Sequence, residues 1–449
     1  MNDTYPVSLA GHGFAPHAEL IAVLQPIAYG VVLLVVLYTL RHLFFTLNRL
    51  FGHQRHPYLD ITEASWPPVT VVIPAHNEQQ VIAHILARII SVDYPKDRLR
   101  ILAIDDRSTD ETPVLLDAFA SLHPGQVQVL HRPAGALPGK AAALVDATQY
   151  LMGDIALVFD ADYLPGPGLV KQLVAPFFDP EVGGVMGRVV PYNSGTNLLT
   201  HLLELERSGG YQVDQQARAN LRLIPQFGGT VGGVRVSALR AIGGWNPRAL
   251  AEDTDITYRL AIAGWKIAYQ NRSECYEEVV ETWPARYRQL RRWSRGHNQV
   301  LFRHLLPLLR SSKMTRRQRI DGAFLLGIYA MAPVLLTGWV VLYILWLCGD
   351  NAGGLLLMLA VVSYGTFGNA AAFYEIASAL RLDGERDKVK GVPLILIGFF
   401  VSTYAATAGF LAAIGDILRP THIHWHKTPR YRDRTAAAPD PDPAAPTGP

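Results

Sequence analysis

Cysteine is scarce in this chain. Two of the 449 residues are cysteine, Cys275 and Cys348. Two cysteines cannot build the disulfide framework of a small secreted domain, and they do not form the C-x-x-C pair of a zinc or redox site. One lies in a polar stretch and the other in an apolar run, which favours two unrelated reduced thiols.

Charge is also scarce, and neither sign dominates. Charged residues make up 18% of the chain, and 41 Lys+Arg against 38 Asp+Glu give a formal net charge of +3. Soluble domains carry about 25% charged residues. A general nucleic-acid binder would present a basic face, so we expect no nucleic-acid partner. The 49% of hydrophobic residues excludes a disordered chain.

Several motifs of nucleotide-binding and hydrolytic enzymes are missing. Gly139 and Lys140 lack the rest of the Walker A pattern, which excludes a P-loop nucleoside triphosphatase. The glycine-rich stretch FGGTVGGVR lacks G-x-G-x-x-G after a strand, which excludes a dinucleotide oxidoreductase. Neither H-E-x-x-H nor G-x-S-x-G occurs, so zinc and serine hydrolases lose their usual markers.

Long apolar runs explain the low charge. Four of them approach the about 20 residues that cross a bilayer core, and they cover residues 20–40, 324–347, 355–380 and 392–417. The interiors of these runs are nearly free of charge, and the exception is Glu375 near the end of the third run. No basic segment precedes the first run, which predicts a retained span rather than a cleaved signal peptide.

The flanking charges predict an orientation. Arg41, His42, Arg49, Arg55 and His56 follow the first run, and almost no positive charge precedes it. The positive-inside rule therefore places the N-terminus outside and the central region in the cytoplasm of a multi-pass inner (plasma) membrane protein. Basic residues after the fourth run favour the cytoplasm for the C-terminus while the span count favours the outside, so that side stays open.

Composition divides the chain into five parts. Residues 1–50 form an N-terminal transmembrane segment, and residues 67–295 form a cytoplasmic domain. Residues 296–320 are amphipathic and basic, which predicts a helix along the membrane surface in contact with membrane lipids. Residues 321–420 contain the C-terminal transmembrane helices, and residues 421–449 form a basic and then disordered tail.

The central region alternates strands and helices. This pattern predicts an α/β domain with a parallel or mixed sheet between helices. Ligands of such sheets bind beyond the carboxyl ends of the strands. The polar residues that fall at strand ends are His76, Asp106, Asp160 and Asp162.

Three acidic motifs lie at strand or loop ends. In FDADYLP, Asp160 and Asp162 can both reach a divalent cation, because alternate residues of an extended segment share one side. DDRSTD can bind a base or ribose, or cap a helix. AEDTD opens a predicted helix, where acids also favour the helix dipole.

Two basic motifs complete the pattern. Lys140 precedes a helix and can meet a phosphate. In QLRRW, the side chains of Gln289, Arg292 and Trp293 fall at i, i+3 and i+4 and share one helical face. An indole beside a guanidinium and an amide suits a sugar ring, and a membrane-surface helix with a tryptophan anchor is the alternative.

In order along the chain, these motifs resemble the membrane-bound, processive branch of glycosyltransferase family 2, which includes cellulose, chitin, hyaluronan and mannan synthases. The resemblance covers about residues 69–293 and rests on VIPAHNE, IDDRSTD, GKAAAL, FDAD, FGGT, AEDTD and QLRRW. A neighbouring branch that glucosylates diacylglycerol carries similar motifs. The resemblance implies a GT-A-like nucleotide-sugar-binding domain between transmembrane helices.

The resemblance also implies residue roles, carried over at matching positions. The nucleotide sugar, expected to be a UDP-sugar, is assigned to His76, Glu78, Asp106, Lys140 and Asp160. Asp160 and Asp162 are assigned to Mg²⁺ or Mn²⁺, Asp253 to the general base, and Gln289, Arg292 and Trp293 to the acceptor.

The implied reaction is an inverting transfer of a sugar to a growing polysaccharide, secreted through the enzyme's own spans. One alternative is a non-processive glycolipid glycosyltransferase that acts on diacylglycerol. A second is a degenerate membrane scaffold or transporter, against which the intact Asp162, Asp253 and Trp293 speak.

Overall fold

A computed structural model describes residues 15–56, 65–350 and 369–419. Most of the third predicted span and the tail at 421–449 lie outside these ranges. The helices are α1 (Ala15–Phe51), α2 (Ile82–Ser91), α3 (Thr112–Leu122), α4 (Lys140–Ala147), α5 (Leu169–Val174), α6 (Leu198–Ser208), α7 (Gln216–Asn220), α8 (Val236–Ala241), α9 (Glu252–Ile262), α10 (Trp283–Arg310), α11 (Arg316–Leu326), α12 (Met331–Leu347), α13 (Asn369–Leu382) and α14 (Ile395–Leu418).

Eight strands form one mixed sheet in the order β3-β2-β1-β4-β7-β6-β8-β5. They are β1 (Val69–Ala75), β2 (Leu99–Asp105), β3 (Val127–His131), β4 (Ile155–Val158), β5 (Leu164–Pro165), β6 (Val182–Pro191), β7 (Gly232–Arg235) and β8 (Lys266–Glu277). The first four are parallel, β7 is antiparallel to both its neighbours, and β8 is parallel to β6.

The central strands follow directly from their sequence. VTVVIPA of β1 is apolar throughout, and Val69, Val71 and Ile73 are fully buried on one face of the sheet. Helix α2 covers this face with buried isoleucines and leucines at helical spacing. Burial on both faces is what a parallel sheet between helices demands, so the α/β prediction is confirmed with a mixed sheet.

Three helical segments are long and apolar enough to cross a membrane: Ala18–Phe51, Ile328–Leu347 and Arg386–Leu418. They correspond to the first, second and fourth predicted runs. Of the third run, α13 is described, and its Glu375 lies 2.6 Å from Nδ1 of His42 on α1. The acid within that run therefore has a partner on another apolar helix, as polar groups among such helices usually do.

The amphipathic stretch is continuous with the preceding helix. α10 extends without a break from Trp283 to Arg310, through residue 295. It packs along α14, where Ser294 Oγ donates to the carbonyl oxygen of Ala406 at 2.6 Å. Arg295 Nε donates to Asp416 at 2.7 Å near the end of α14. The helix that carries QLRRW thus lies against the last apolar helix.

A buried ion network joins α1 to the segment that follows α6, to α7 and to α11. Arg41 lies 2.7 Å from Asp321 and 3.3 Å from Asp214, and Arg218 bonds both of these acids at 2.8 Å. Asp214 belongs to a π-helical segment, Gly209–Gln215, that continues α6. Each buried charge therefore has two opposite partners, which is what makes their burial tolerable.

Candidate active site

A cleft of about 1450 Å³ opens at the carboxyl ends of β1, β2 and β4. All ten residues singled out from the sequence line it, which brings together side chains spread over more than 200 positions: His76, Glu78, Asp106, Lys140, Asp160, Asp162, Asp253, Gln289, Arg292 and Trp293. The topology of the sheet explains the first six, because parallel strands end at one edge.

The ends of β1 and β2 are tied to each other. His76 Nδ1 lies 2.7 Å from the carbonyl oxygen of Asp106 and must be the donor, since a carbonyl only accepts. Asn77 and Arg107, the second residues after β1 and β2, have φ of +54° and +60°. Thr109 donates its N–H to Asn77 Oδ1 at 2.7 Å, which locks the two loops together. Such strained backbone is often found at functional loops.

Asp106 is buried and its carboxylate is already hydrogen-bonded. Oδ1 accepts from Arg107 at 2.9 Å and from Arg132 at 2.5 Å, and Oδ2 accepts from the N–H of Gly139 at 3.0 Å. Asp106 thus anchors the loop that precedes Lys140. Asp106 lines the cleft, and its bonds hold this loop in place.

Lys140 lines the cleft and pairs with two carboxylates. Its Nζ lies 2.6 Å from Asp160 and 3.4 Å from Glu252, and it donates to the carbonyl oxygen of Gly229 at 2.7 Å. Burial alone would lower the pKa of Lys140, but the carboxylates of Asp160 and Glu252 outweigh it and raise the pKa. The lysine therefore stays charged and joins the FDAD, FGGT and AEDTD segments.

The FGGT segment approaches the AEDTD helix closely. Gly229 has φ of +79°, and a Cβ there would lie 3.3 Å from Oδ2 of Asp253. A larger residue would be strained and would crowd the acid, so glycine is required here. The next residue, Thr230, accepts a hydrogen bond from the N–H of Asp160 at 3.1 Å.

Asp253 lies in the first turn of α9 on the cleft wall. Burial and the neighbouring charge of Glu252 raise its pKa to about 7, against the hydrogen bonds of Thr254 and the charge of Lys140. A carboxyl group with a pKa near neutrality can take a proton at physiological pH and release it afterwards. This is the property that a general base needs.

Asp160 and Asp162 supply oxygen ligands of the kind that hard divalent cations prefer. Within residues 15–56, 65–350 and 369–419, no group of three or more His, Cys, Asp or Glu side chains is arranged to hold a metal ion. Mg²⁺ in transferase sites is usually held by one or two carboxylates together with substrate phosphates. Two aspartates in a cleft large enough for a nucleotide therefore fit a metal that binds with its substrate.

The QLRRW side chains face the cleft from α10. Gln289 Oε1 accepts from Arg286 at 3.1 Å. The indole ring of Trp293 has two guanidinium groups near it, Arg207 at 5.4 Å and Arg286 at 5.7 Å from the ring centroid. Burial lowers the pKa of Arg292, against the attraction of Glu252 and other cleft acids.

The cleft also contains residues that the sequence did not single out. Among them are Tyr163, Arg207, Glu277, Phe302 and Ile417. Glu277 is a polar residue at the end of a strand, as Asp106 is just after β2, and this position could have indicated it. The largely polar sequence KIAYQNRSECYE, however, does not predict a strand. The others lie on helices or beside recognised motifs, and only the fold brings them to the site.

Comparison with known proteins identifies the domain. Residues 67–296 match the family described as "Glycosyltransferase like family 2". The chain is 27% identical to the probable glycosyltransferase YdaM of Bacillus subtilis over 81% of its own length and 87% of that protein. It is 35% identical to a beta-monoglucosyldiacylglycerol synthase of Synechocystis over 54% of its length. Two further synthases of that name, from Nostoc and Trichormus variabilis, are 32% and 31% identical.

These synthases are longer than the matched region, since the alignment spans 50% of the Synechocystis protein and 60% of the Nostoc protein. Among solved structures, the mannosyltransferase PcManGT of Pyrobaculum calidifontis, in complex with GDP-Man and Mn²⁺, superposes with a TM-score of 0.57 at 22% identity. The superposition covers 80% of this chain and 98% of that one. With the matched domain, the mixed sheet and the cleft at its strand ends, the chain belongs to glycosyltransferase family 2 and is a transferase enzyme of GT-A-like fold.

Proposed function

We propose that this enzyme transfers one sugar, with inversion, from a nucleotide sugar to the hydroxyl of a membrane lipid. Exposed apolar side chains at one end of the cleft, beside the polar Gln299, Arg303 and Asp416, carry this proposal. Beyond Trp293 the cleft continues to Phe302, about 14 Å further along α10, and to Ile417 at the end of α14. Phe302 is 42% exposed and Ile417 60% exposed, so the acceptor side opens between exposed apolar side chains.

The relatives support a lipid acceptor over a polymer. The resemblance to processive synthases favoured polysaccharide elongation, whereas three of the relatives are named beta-monoglucosyldiacylglycerol synthases. Family membership also argues against the degenerate scaffold or transporter. Diacylglycerol has one free hydroxyl beside two acyl chains, which matches a polar cleft with an apolar end.

The donor side is assigned to the strand ends. His76, Glu78 and Asp106 surround the position proposed for the nucleotide, and Lys140 is assigned to its phosphates. Asp160 and Asp162 would hold Mg²⁺ or Mn²⁺. When bound, such a cation neutralises the charge of a diphosphate leaving group. We expect a UDP-sugar as the donor.

The proposed reaction needs one base and no protein nucleophile. Asp253 accepts the proton of the lipid hydroxyl, whose oxygen bonds to the anomeric carbon as the bond from that carbon to the diphosphate breaks. A single displacement turns an α-linked donor into a β-glycoside. Lys140, between Asp160 and Glu252, orients the acids and offsets their charge.

We also propose that the catalytic domain faces the cytoplasm. The three apolar helices and the basic residues after residue 40 support this placement. Nucleotide sugars are supplied from the aqueous side and lipid acceptors from the membrane side.

Substitution of Phe302 tests the lipid-facing end of the cleft. Phe302→Asn should raise the KM for long-chain diacylglycerol about tenfold, because the acyl chains lose apolar contact. The KM for the nucleotide sugar should not change. Leu306→Asn is the matched control, since Leu306 is 53% exposed on the same helix but does not line the cleft. Equal effects of the two variants would contradict the proposal.

A further inference from the structure

Glu277, the last residue of β8, connects the two sides of the cleft. Its Oε2 accepts a hydrogen bond from the hydroxyl of Tyr163 at 2.8 Å, and its Oε1 accepts from Nε of Arg207 at 2.7 Å. Glu277 is 7% exposed, so both bonds are shielded from bulk water. Neither oxygen can move without breaking a bond to a neighbouring segment.

Tyr163 brings one end of this connection to the metal-binding turn. It directly follows Asp162 and is 6% exposed. The next residue begins β5, which pairs with β8 at Cys275 and Tyr276, next to Glu277. The bond from Tyr163 to Glu277 therefore fixes the turn that carries Asp162 against the end of β8.

Arg207 brings the other end to the acceptor helix. Its guanidinium carbon lies 5.4 Å from the ring centroid of Trp293, a distance that allows a cation–π interaction. The bond to Glu277 determines where this guanidinium lies. Without a carboxylate at Glu277, Arg207 would be a charge in the cleft wall that has lost its anionic partner, and it would be expected to move.

We infer that Glu277 is a positioning residue that holds the Asp162 turn and Trp293 in a fixed relation, so that the acceptor hydroxyl and not water reaches the anomeric carbon. The inference rests on the proposed transfer reaction. Glu277 itself does not touch the reacting atoms in this account. It acts through Tyr163 on the donor side and through Arg207 on the acceptor side.

The positioning function of Glu277 can be measured as the ratio of nucleoside diphosphate released to sugar transferred. In transfer, the acceptor oxygen bonds to the anomeric carbon, the bond to the diphosphate breaks and the acceptor proton passes to Asp253. If water takes the acceptor's place, the same bond breaks and the products are free sugar and nucleoside diphosphate. A loosened acceptor site therefore raises the amount of nucleoside diphosphate released per sugar transferred.

The experiment uses the full-length protein in vesicles that contain diacylglycerol, with a labelled UDP-sugar. Glu277→Gln keeps the size of the side chain and removes its charge. We expect the ratio of diphosphate released to acceptor glycosylated to rise about fivefold, with a higher KM for the acceptor. Tyr163→Phe should change the ratio in the same direction, and Glu277→Asp should lie closer to the wild type.

Glu274→Gln is the matched control. Glu274 lies on the same strand and pairs with Arg188 at 3.1 Å, but it does not line the cleft. Its variant should keep the wild-type ratio. A merely structural function of Glu277 would lower donor hydrolysis and transfer equally and leave the ratio unchanged.

The inference is overturned if folded Glu277→Gln keeps the wild-type ratio and acceptor KM. If that variant does not fold, Tyr163→Phe decides, and an unchanged ratio there overturns it as well. Failure of the proposed function looks different, because the wild type would then glycosylate no diacylglycerol. If it made a saccharide polymer instead, the same ratio measured on polymer would still test Glu277.

Discussion

Thr254 donates its backbone N–H to Oδ1 of Asp253 at 2.7 Å, which fixes the orientation of the carboxylate in the first turn of α9. The other oxygen, Oδ2, lies beside Gly229, where any side chain would crowd it. The acid is thus held in one orientation by its own helix and kept accessible by a glycine. Charge and geometry together make it the strongest candidate for the base.

Replacement of Asp253 by asparagine should remove the base and keep the shape of the site. We expect kcat to fall by about 10²- to 10⁴-fold, the usual contribution of general base catalysis. Nucleotide affinity, measured by calorimetry in the presence of Mn²⁺, should stay nearly unchanged. A parallel loss of affinity and rate would make Asp253 a binding residue instead.

The pH dependence follows from the pKa of about 7 for Asp253. The base is active when ionised, so kcat/KM should rise with pH through about 7 and level off above it. Glu252 raises this pKa through its charge, and Glu252→Gln should therefore shift the rising limb to lower pH. For the wild type, a kcat/KM profile that is flat between about pH 5 and 8 would contradict the assignment of Asp253 as the base, because a group with a pKa of about 7 titrates in this range.

Metal dependence should reside in the FDAD turn. Asp162→Ala is expected to abolish transfer, and a chelator should abolish transfer by the wild type until Mg²⁺ or Mn²⁺ is restored. Nucleotide binding gives a second readout, because it should be weak both in the Asp162→Ala variant and in the wild type treated with a chelator. Full turnover of the variant with chelator present would remove the metal from the account.

The first half of the sheet could be predicted from the sequence because β1, β2 and β4 are short apolar runs bounded by polar turns. Their strand-end residues, from His76 to Asp162, were therefore found. Strands β6 and β8 could not be predicted, since VGGVMGRVVP is rich in glycine and β8 is largely polar.

Long-range contacts set a second limit. Arg207 and Trp293 are 86 positions apart, and no local pattern signals that a guanidinium lies over that indole. Likewise, α10 was divided at residue 295 because its composition changes there, whereas hydrogen bonding continues through to Arg310. The composition of a segment indicates whether it is exposed to solvent. It indicates where a helix ends only if a capping residue or a helix-breaking residue is present.

The orientation of the enzyme can be tested with introduced cysteines. In a Cys348→Ser background, Ser121→Cys on exposed α3 should resist an impermeant thiol reagent applied to intact cells. Glu19→Cys, at the exposed N-terminal end of α1, should be labelled and serves as the control. The native Cys275 is fully buried and should not react. Labelling at position 121 would invert the proposed topology.

The size of the product tests the central claim most directly. Purified wild-type enzyme should be incubated with a labelled UDP-sugar and diacylglycerol vesicles over a wide range of enzyme-to-donor ratios, and the products separated by chromatography and mass spectrometry. The account predicts a single β-linked sugar on the lipid at every ratio. A saccharide chain that lengthens at low enzyme-to-donor ratio would contradict it and return the enzyme to the polysaccharide synthases.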